Sequence, residues 1–141
     1  LGLITDMSSK KYALGGTAGY APPESHFDYD SYGEGADFWP LGVIVLKAIT
    51  RDILPEDLEE KCHVPKCYQD SADNLVEKAR RVVADIKRPS TQNMLESAIN
   101  FAEKILQANP NSRPSYDELI NHDFIQYAKV WFRSKIAKIQ K

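Results

Sequence analysis

The chain is 141 residues long, 43% apolar and 27% charged, with a formal net charge of −2. That is the profile of a soluble globular domain with a real apolar core, and its near-neutral balance supplies no basic field for nucleic acid. The longest apolar run, FWPLGVIVLKAIT, is broken by Pro40 and Lys47 and is too short to cross a bilayer.

Residues 1–35 are rich in Gly, Ser, Tyr and Pro without a sustained period and read as ordered loop with short elements. No signal-peptide pattern opens the chain, and LGLITD has the look of a protein interior rather than a start. The first long helix is expected from Ala36 to Thr50, with Asp37 as its N-cap and Pro40 in the first turn, where a missing N–H is tolerated. Its β-branched GVIVL run would also suit a strand, but the length of the apolar block and the capped start favour helix. Apolar groups fall on every side of it, which places it in the middle of a domain.

LPEDLEEK reads as a short helix with Pro55 near its start. After it come the two cysteines, Cys62 and Cys67, in CHVPKC. With His63 they remain a ligand short of a tetrahedral zinc site, so no metal is expected and the reading is two reduced thiols in an intracellular, cytoplasmic protein. The stretch DSADNLVEKARRVVADIKRP predicts a helix presenting Leu75, Val76, Ala79, Val82, Val83 and Ile86, capped by Asp70 or Ser71, with Pro89 past its end. TQNMLESAINFAEKILQANP repeats the pattern through Leu95, Ala98, Ile99, Ala102, Ile105 and Leu106. SYDEL is a capping box, Ser115 with Glu118 three residues on. The tail YAKVWFRSKIAKIQK is a basic, amphipathic helix candidate. Past residue 35 the chain reads as all α.

Three stretches, taken in order, carry the functional reading: GTAGYAPPE at 16–24, DFWPLG at 37–42 and NPNSRPSYDELINHDF at 109–124. Together they resemble the C-terminal lobe of a eukaryotic-type Ser/Thr protein kinase, whose pattern is G-T-x-x-Y-x-A-P-E, then D-x-W-S-x-G opening a buried helix, then D-P-x-x-R-P-S/T with a late H-x-F. The resemblance implies a mainly α fold: a partial kinase domain over 1–128, with an activation segment at 1–24 and a helical lobe at 25–128. A basic tail follows at 129–141. Leu1–Gly2 look like the end of the D-F-G motif, so the N-terminal lobe is expected upstream.

The resemblance implies the following roles. Residues 3–15 form an activation loop in which Ser8, Ser9 and Tyr12 are candidate phosphorylation sites. Thr17 bonds the catalytic machinery, Gly16 and Gly19 let the backbone approach a substrate peptide, and Tyr20 walls the pocket beyond the phosphoacceptor. Glu24 and Arg113 pair to clamp this segment on the lobe, and Asp37 is a structural support that caps the central helix and accepts backbone N–H bonds from the catalytic loop. Pro22, Pro40 and Leu1 depart from the family pattern.

Phosphoryl transfer with ATP and Mg²⁺ also needs a Gly-rich loop, a Lys–Glu pair and an H-R-D-x-x-x-x-N loop. None of these occurs in the 141 residues, so no catalytic residue is expected within the chain, nor activity from the chain alone. The alternative is a pseudokinase or scaffold lobe that only binds partners. A protein substrate and the upstream lobe are the expected partners. The tail suits calmodulin or another regulatory partner, an autoinhibitory segment, a membrane surface, or simple packing on the lobe with its charges in water, and the last is favoured.

Overall fold

The computed structural model describes residues 19–27, 33–55, 58–62 and 64–139. Within them the regular structure is helical: α1 (Glu24–Phe27), α2 (Glu34–Thr50), α3 (Leu58–Lys61), α4 (Pro65–Ala84), α5 (Pro89–Ile105), a 3₁₀ turn (Pro110–Ser112), α6 (Tyr116–Ile120) and α7 (Asp123–Ile139). The mainly α reading therefore holds.

Helix α2 starts a turn earlier than Asp37 could cap. Gly33, in extended backbone, is the N-cap, and its carbonyl accepts the Ala36 N–H at 3.0 Å. Burial of Ala36 draws that turn into the helix. Asp37 consequently lies inside α2 on its exposed side, and Pro40 stands in the second turn, where it withdraws the amide that the Ala36 carbonyl would otherwise accept. The helix stops at Arg51, which turns to φ 66° and returns its N–H to Lys47 O at 2.7 Å.

Helix α4 also begins early. Val64 is its extended N-cap and Pro65 its first residue, so Asp70 and Ser71 lie inside the helix. The stripe Tyr68, Ala72, Leu75, Val76, Ala79 and Val83 is buried at 3–4-residue spacing, whereas Val82 falls on the exposed flank. Pro89 lies past the end of α4, as expected. It opens α5 at the first helical position, where its fixed φ suits the helix.

Helices α2, α4 and α5 pack against one another in all three pairings, and α7 lies on α5 and α6. The main core gathers Trp39, Val43 and Leu46 from α2, the α4 stripe, and Ile99, Ala102 and Leu106 around α5. A smaller cluster joins Phe101, Ile105 and Leu119 to Phe38, Phe124 and Ile125. Gly42 fits because a Cβ there would come 2.9 Å from Leu106 Cγ, so α2 and α5 touch through a missing side chain. The expectation that α2 is apolar on all sides holds for its residues, yet Leu41 and Ile44 face solvent, exposed by 40% and 53%.

The capping box forms as read. Ser115 Oγ accepts the Glu118 N–H at 3.2 Å, and the Glu118 carboxylate accepts the Ser115 N–H at 3.3 Å. Cys62 and Cys67 are free thiols; Cys62 is buried and directs its Sγ to Val64 O at 3.0 Å.

Candidate functional site

The three motif stretches meet at one buried point. Glu24, the first residue of α1, is 3% exposed, and Arg113, just past the 3₁₀ turn, is 9% exposed. The Arg113 guanidinium donates to both carboxylate oxygens, Nη1 to Oε1 at 2.5 Å and Nη2 to Oε2 at 2.8 Å, while its Nε donates to Gln107 O at 2.8 Å. The same guanidinium stacks 5.0 Å from the ring centre of Trp39, which is wholly buried in α2. Glu24 comes from the first stretch, Trp39 from the second and Arg113 from the third. A forked pair of this kind is stable in the interior only when its remaining donors are satisfied, and the Gln107 carbonyl meets that need.

Next to the pair the chain is held down residue by residue. Pro22 and Pro23 are buried, and the Pro22 carbonyl accepts both the N–H and the hydroxyl of Ser25, at 3.1 and 2.6 Å. The departure at Pro22 removes a backbone N–H but leaves the carbonyl that holds Ser25. Tyr20 rests against the main core and accepts a hydrogen bond from Lys47 Nζ at 3.0 Å. Gly19 has φ 88°, and a Cβ on it would come 2.5 Å from Ile53 Cδ1 and 2.9 Å from Leu54 O. The chain's own backbone therefore already requires glycine there.

Of the residues singled out from sequence, Glu24 and Arg113 are brought together, Gly19 and Tyr20 lie just upstream on the same lobe, and Asp37 is on the outer side of α2. Gly16, Thr17, Ser8, Ser9 and Tyr12 lie outside the described residues. Sequence reasoning passed over Lys47, Gln69 and Gln107. Gln69 reaches from α4 to fix the loop before Arg113, donating to Leu106 O at 3.2 Å and accepting the Ala108 N–H at 2.7 Å. A polar residue at a helix start carries no periodic signal that would have revealed this. Among the described residues no group of His, Cys, Asp or Glu side chains could hold a metal ion. The site is a clamp that fastens the stretch ending at Glu24 to the helices through Arg113 and Trp39.

His122, of the late H-x-F, joins α5 to α7. Its Nδ1 accepts the Phe124 N–H at 3.0 Å, so Nε2 carries the proton and donates to Asn100 Oδ1 at 2.8 Å. Its ring lies edge-on to Phe101, with centroids 5.3 Å apart. Burial lowers its pKa from the usual 6.5; the Lys104 charge adds to this and Asp123 opposes it. The unfolded chain therefore takes up this proton more readily than the folded one. The stability His122 contributes is complete above pH 6.5 and falls as the pH drops through the lower folded value. Wild type is expected to lose more unfolding free energy than His122→Gln on acidification to about pH 5. Parallel stability–pH curves for the two proteins would exclude the histidine as the titrating group.

Residues 1–125 match the sequence model of the protein kinase domain, and the chain belongs to that family. Among curated relatives it is similar to mitogen-activated protein kinase kinase kinase 1 of Arabidopsis thaliana, 33% identical over 113 residues that cover 79% of this chain and 16% of the relative. It is also similar to calcium-dependent protein kinase 13 of Arabidopsis thaliana, 28% identical over 99 residues, or 70% of this chain and 16% of that one. Human calcium/calmodulin-dependent protein kinase type 1B is 27% identical over 146 residues, covering 99% of this chain and 39% of the relative. The chain thus spans between 16% and 39% of the length of these three kinases. No solved structure matches it.

Proposed function

We propose that these residues work as the substrate-side helical lobe of a longer Ser/Thr protein kinase that transfers the γ-phosphate of ATP, with Mg²⁺, to Ser or Thr of protein substrates inside the cell. The observation that carries the reading is the buried Glu24–Arg113 pair on Trp39, which ties the stretch ending at Glu24 to the helices. A segment fixed in this way can keep a defined surface toward a bound peptide. In this reading Gly16, Thr17, Gly19 and Tyr20 form that surface, and phosphate on Ser8, Ser9 or Tyr12 orders the loop before it by pairing with basic side chains. The ATP-binding and catalytic groups come from the upstream part of the same kinase, so the 141 residues alone transfer no phosphate.

The test is transfer of labelled γ-phosphate to a Ser/Thr peptide library by the longer protein that contains this chain. Thr17→Ala is expected to lower kcat/KM by roughly 100-fold, the scale of loss from misplacing a reacting group by about an ångström. A longer protein that binds its partners yet transfers no phosphate to any peptide would replace this reading with the scaffold one.

A further inference from the structure

Helix α7 outruns the lobe that anchors it. Phe124 and Ile125 pack into the smaller core cluster, but no residue of the helix is fully buried. Val130, Trp131, Phe132 and Ile139 are each more than half exposed. Phe132, Ile136 and Ile139 recur at i, i+4 and i+7 and so share one side of the helix. Helical spacing sets Lys129 and Arg133 along one flank of that stripe and Lys135 and Lys138 along the other. No acidic residue follows Asp123. The opposite side, through Tyr127, Val130 and Ser134, borders an open groove whose other wall is the start of α5, at Ser90, Thr91 and Met94.

We propose that the Phe132–Ile136–Ile139 side of α7 docks on an anionic lipid bilayer, with the helix lying flat in the interface. Charge decides against a second copy of the chain: two stripes each flanked by four cations repel. The lobe decides against a protein groove that wraps the helix, because α5 stands beside the other face and leaves one long side open. A flat negative surface meets both conditions. It accepts the apolar stripe while the lysine and arginine stems reach the headgroups on either flank. Trp131, with Lys135 Nζ 5.6 Å from its ring centre, sits at the flank, where an indole suits the interface. No helix among the described residues is long and apolar enough to cross the membrane, so α7 lies on it.

The experiment is flotation of the longer protein that contains this chain with phosphatidylcholine vesicles, with and without phosphatidylserine. Binding is expected only with phosphatidylserine and is expected to weaken as salt rises. Lys129→Gln with Arg133→Gln is expected to weaken it about 30-fold, since each basic side chain near an anionic surface strengthens binding roughly fivefold. Phe132→Ser with Ile136→Ser is expected to abolish it, and because both side chains are at least partly exposed the helical circular dichroism is expected to persist. Equal flotation with neutral vesicles would overturn the proposal, as would binding unchanged by the glutamine pair. Capture by calcium-loaded calmodulin with no flotation would overturn it in favour of a protein partner.

Discussion

Arg113→Met is expected to lower the unfolding free energy by about 3–5 kcal/mol, the range for breaking a buried ion pair from one side. The methionine fills much of the arginine volume, so the loss comes from the carboxylate left behind. Glu24 is 3% exposed, too deeply buried for bulk solvent to replace its two guanidinium bonds. Trp39 loses the cation over its ring at the same time. Removing both charges together, with Glu24→Leu and Arg113→Met, is expected to recover most of that loss, because nothing charged then remains buried. Urea midpoints at unchanged m measure all of this. A double variant as unstable as the two singles added together would show that the pair is not coupled. High salt is expected to change the wild-type value little, since a pair this deep is poorly screened.

Trp39→Ala is expected to cost a comparable 3–5 kcal/mol, roughly the range for truncating a large aromatic in a core. Trp39 is wholly buried, packs in the main core and floors the ion pair, so its removal leaves a cavity under Arg113 as well as between helices. Among the described residues its Nε1 has no hydrogen-bond partner. Trp39→Phe keeps an aromatic floor and deletes that unpaired donor, so it is expected to lose clearly less than the alanine variant. Equal losses for the two substitutions would mean that an aromatic floor under the guanidinium is not what the position supplies.

Local chemistry was legible in the sequence where a side chain announces it. The Ser115–Glu118 box forms because both partners lie within one turn, and the α5 stripe from Ala98 to Leu106 is buried because its spacing admits one face. The helix starts were misread by a turn or more at Gly33 and Val64 for the converse reason. Neither has a capping side chain, and burial of Ala36 and Tyr68 extends each helix past the residues that looked like caps. Phe101 escaped notice because it belongs to a second, smaller cluster on the α7 side of α5, off the stripe that the period marks. Val82 was included because a valine beside a valine looks alike from either face. At the site, Glu24 and Arg113 were found only through a family pattern; nothing in spacing or composition links residues so far apart. Gln69 and Gln107 act through geometry that exists only once α4 and α5 are assembled.

Glu24 and Arg113 stand 89 positions apart, whereas α4 and α5 are consecutive helices that associate across a turn of a few residues. Contacts between consecutive helices form early in folding, and a closure of that span has to wait for them. The ion pair is therefore a latch shut on a finished helical body. Local opening of such a latch would free the stretch ending at Glu24 at a lower cost than melting the helices beneath it.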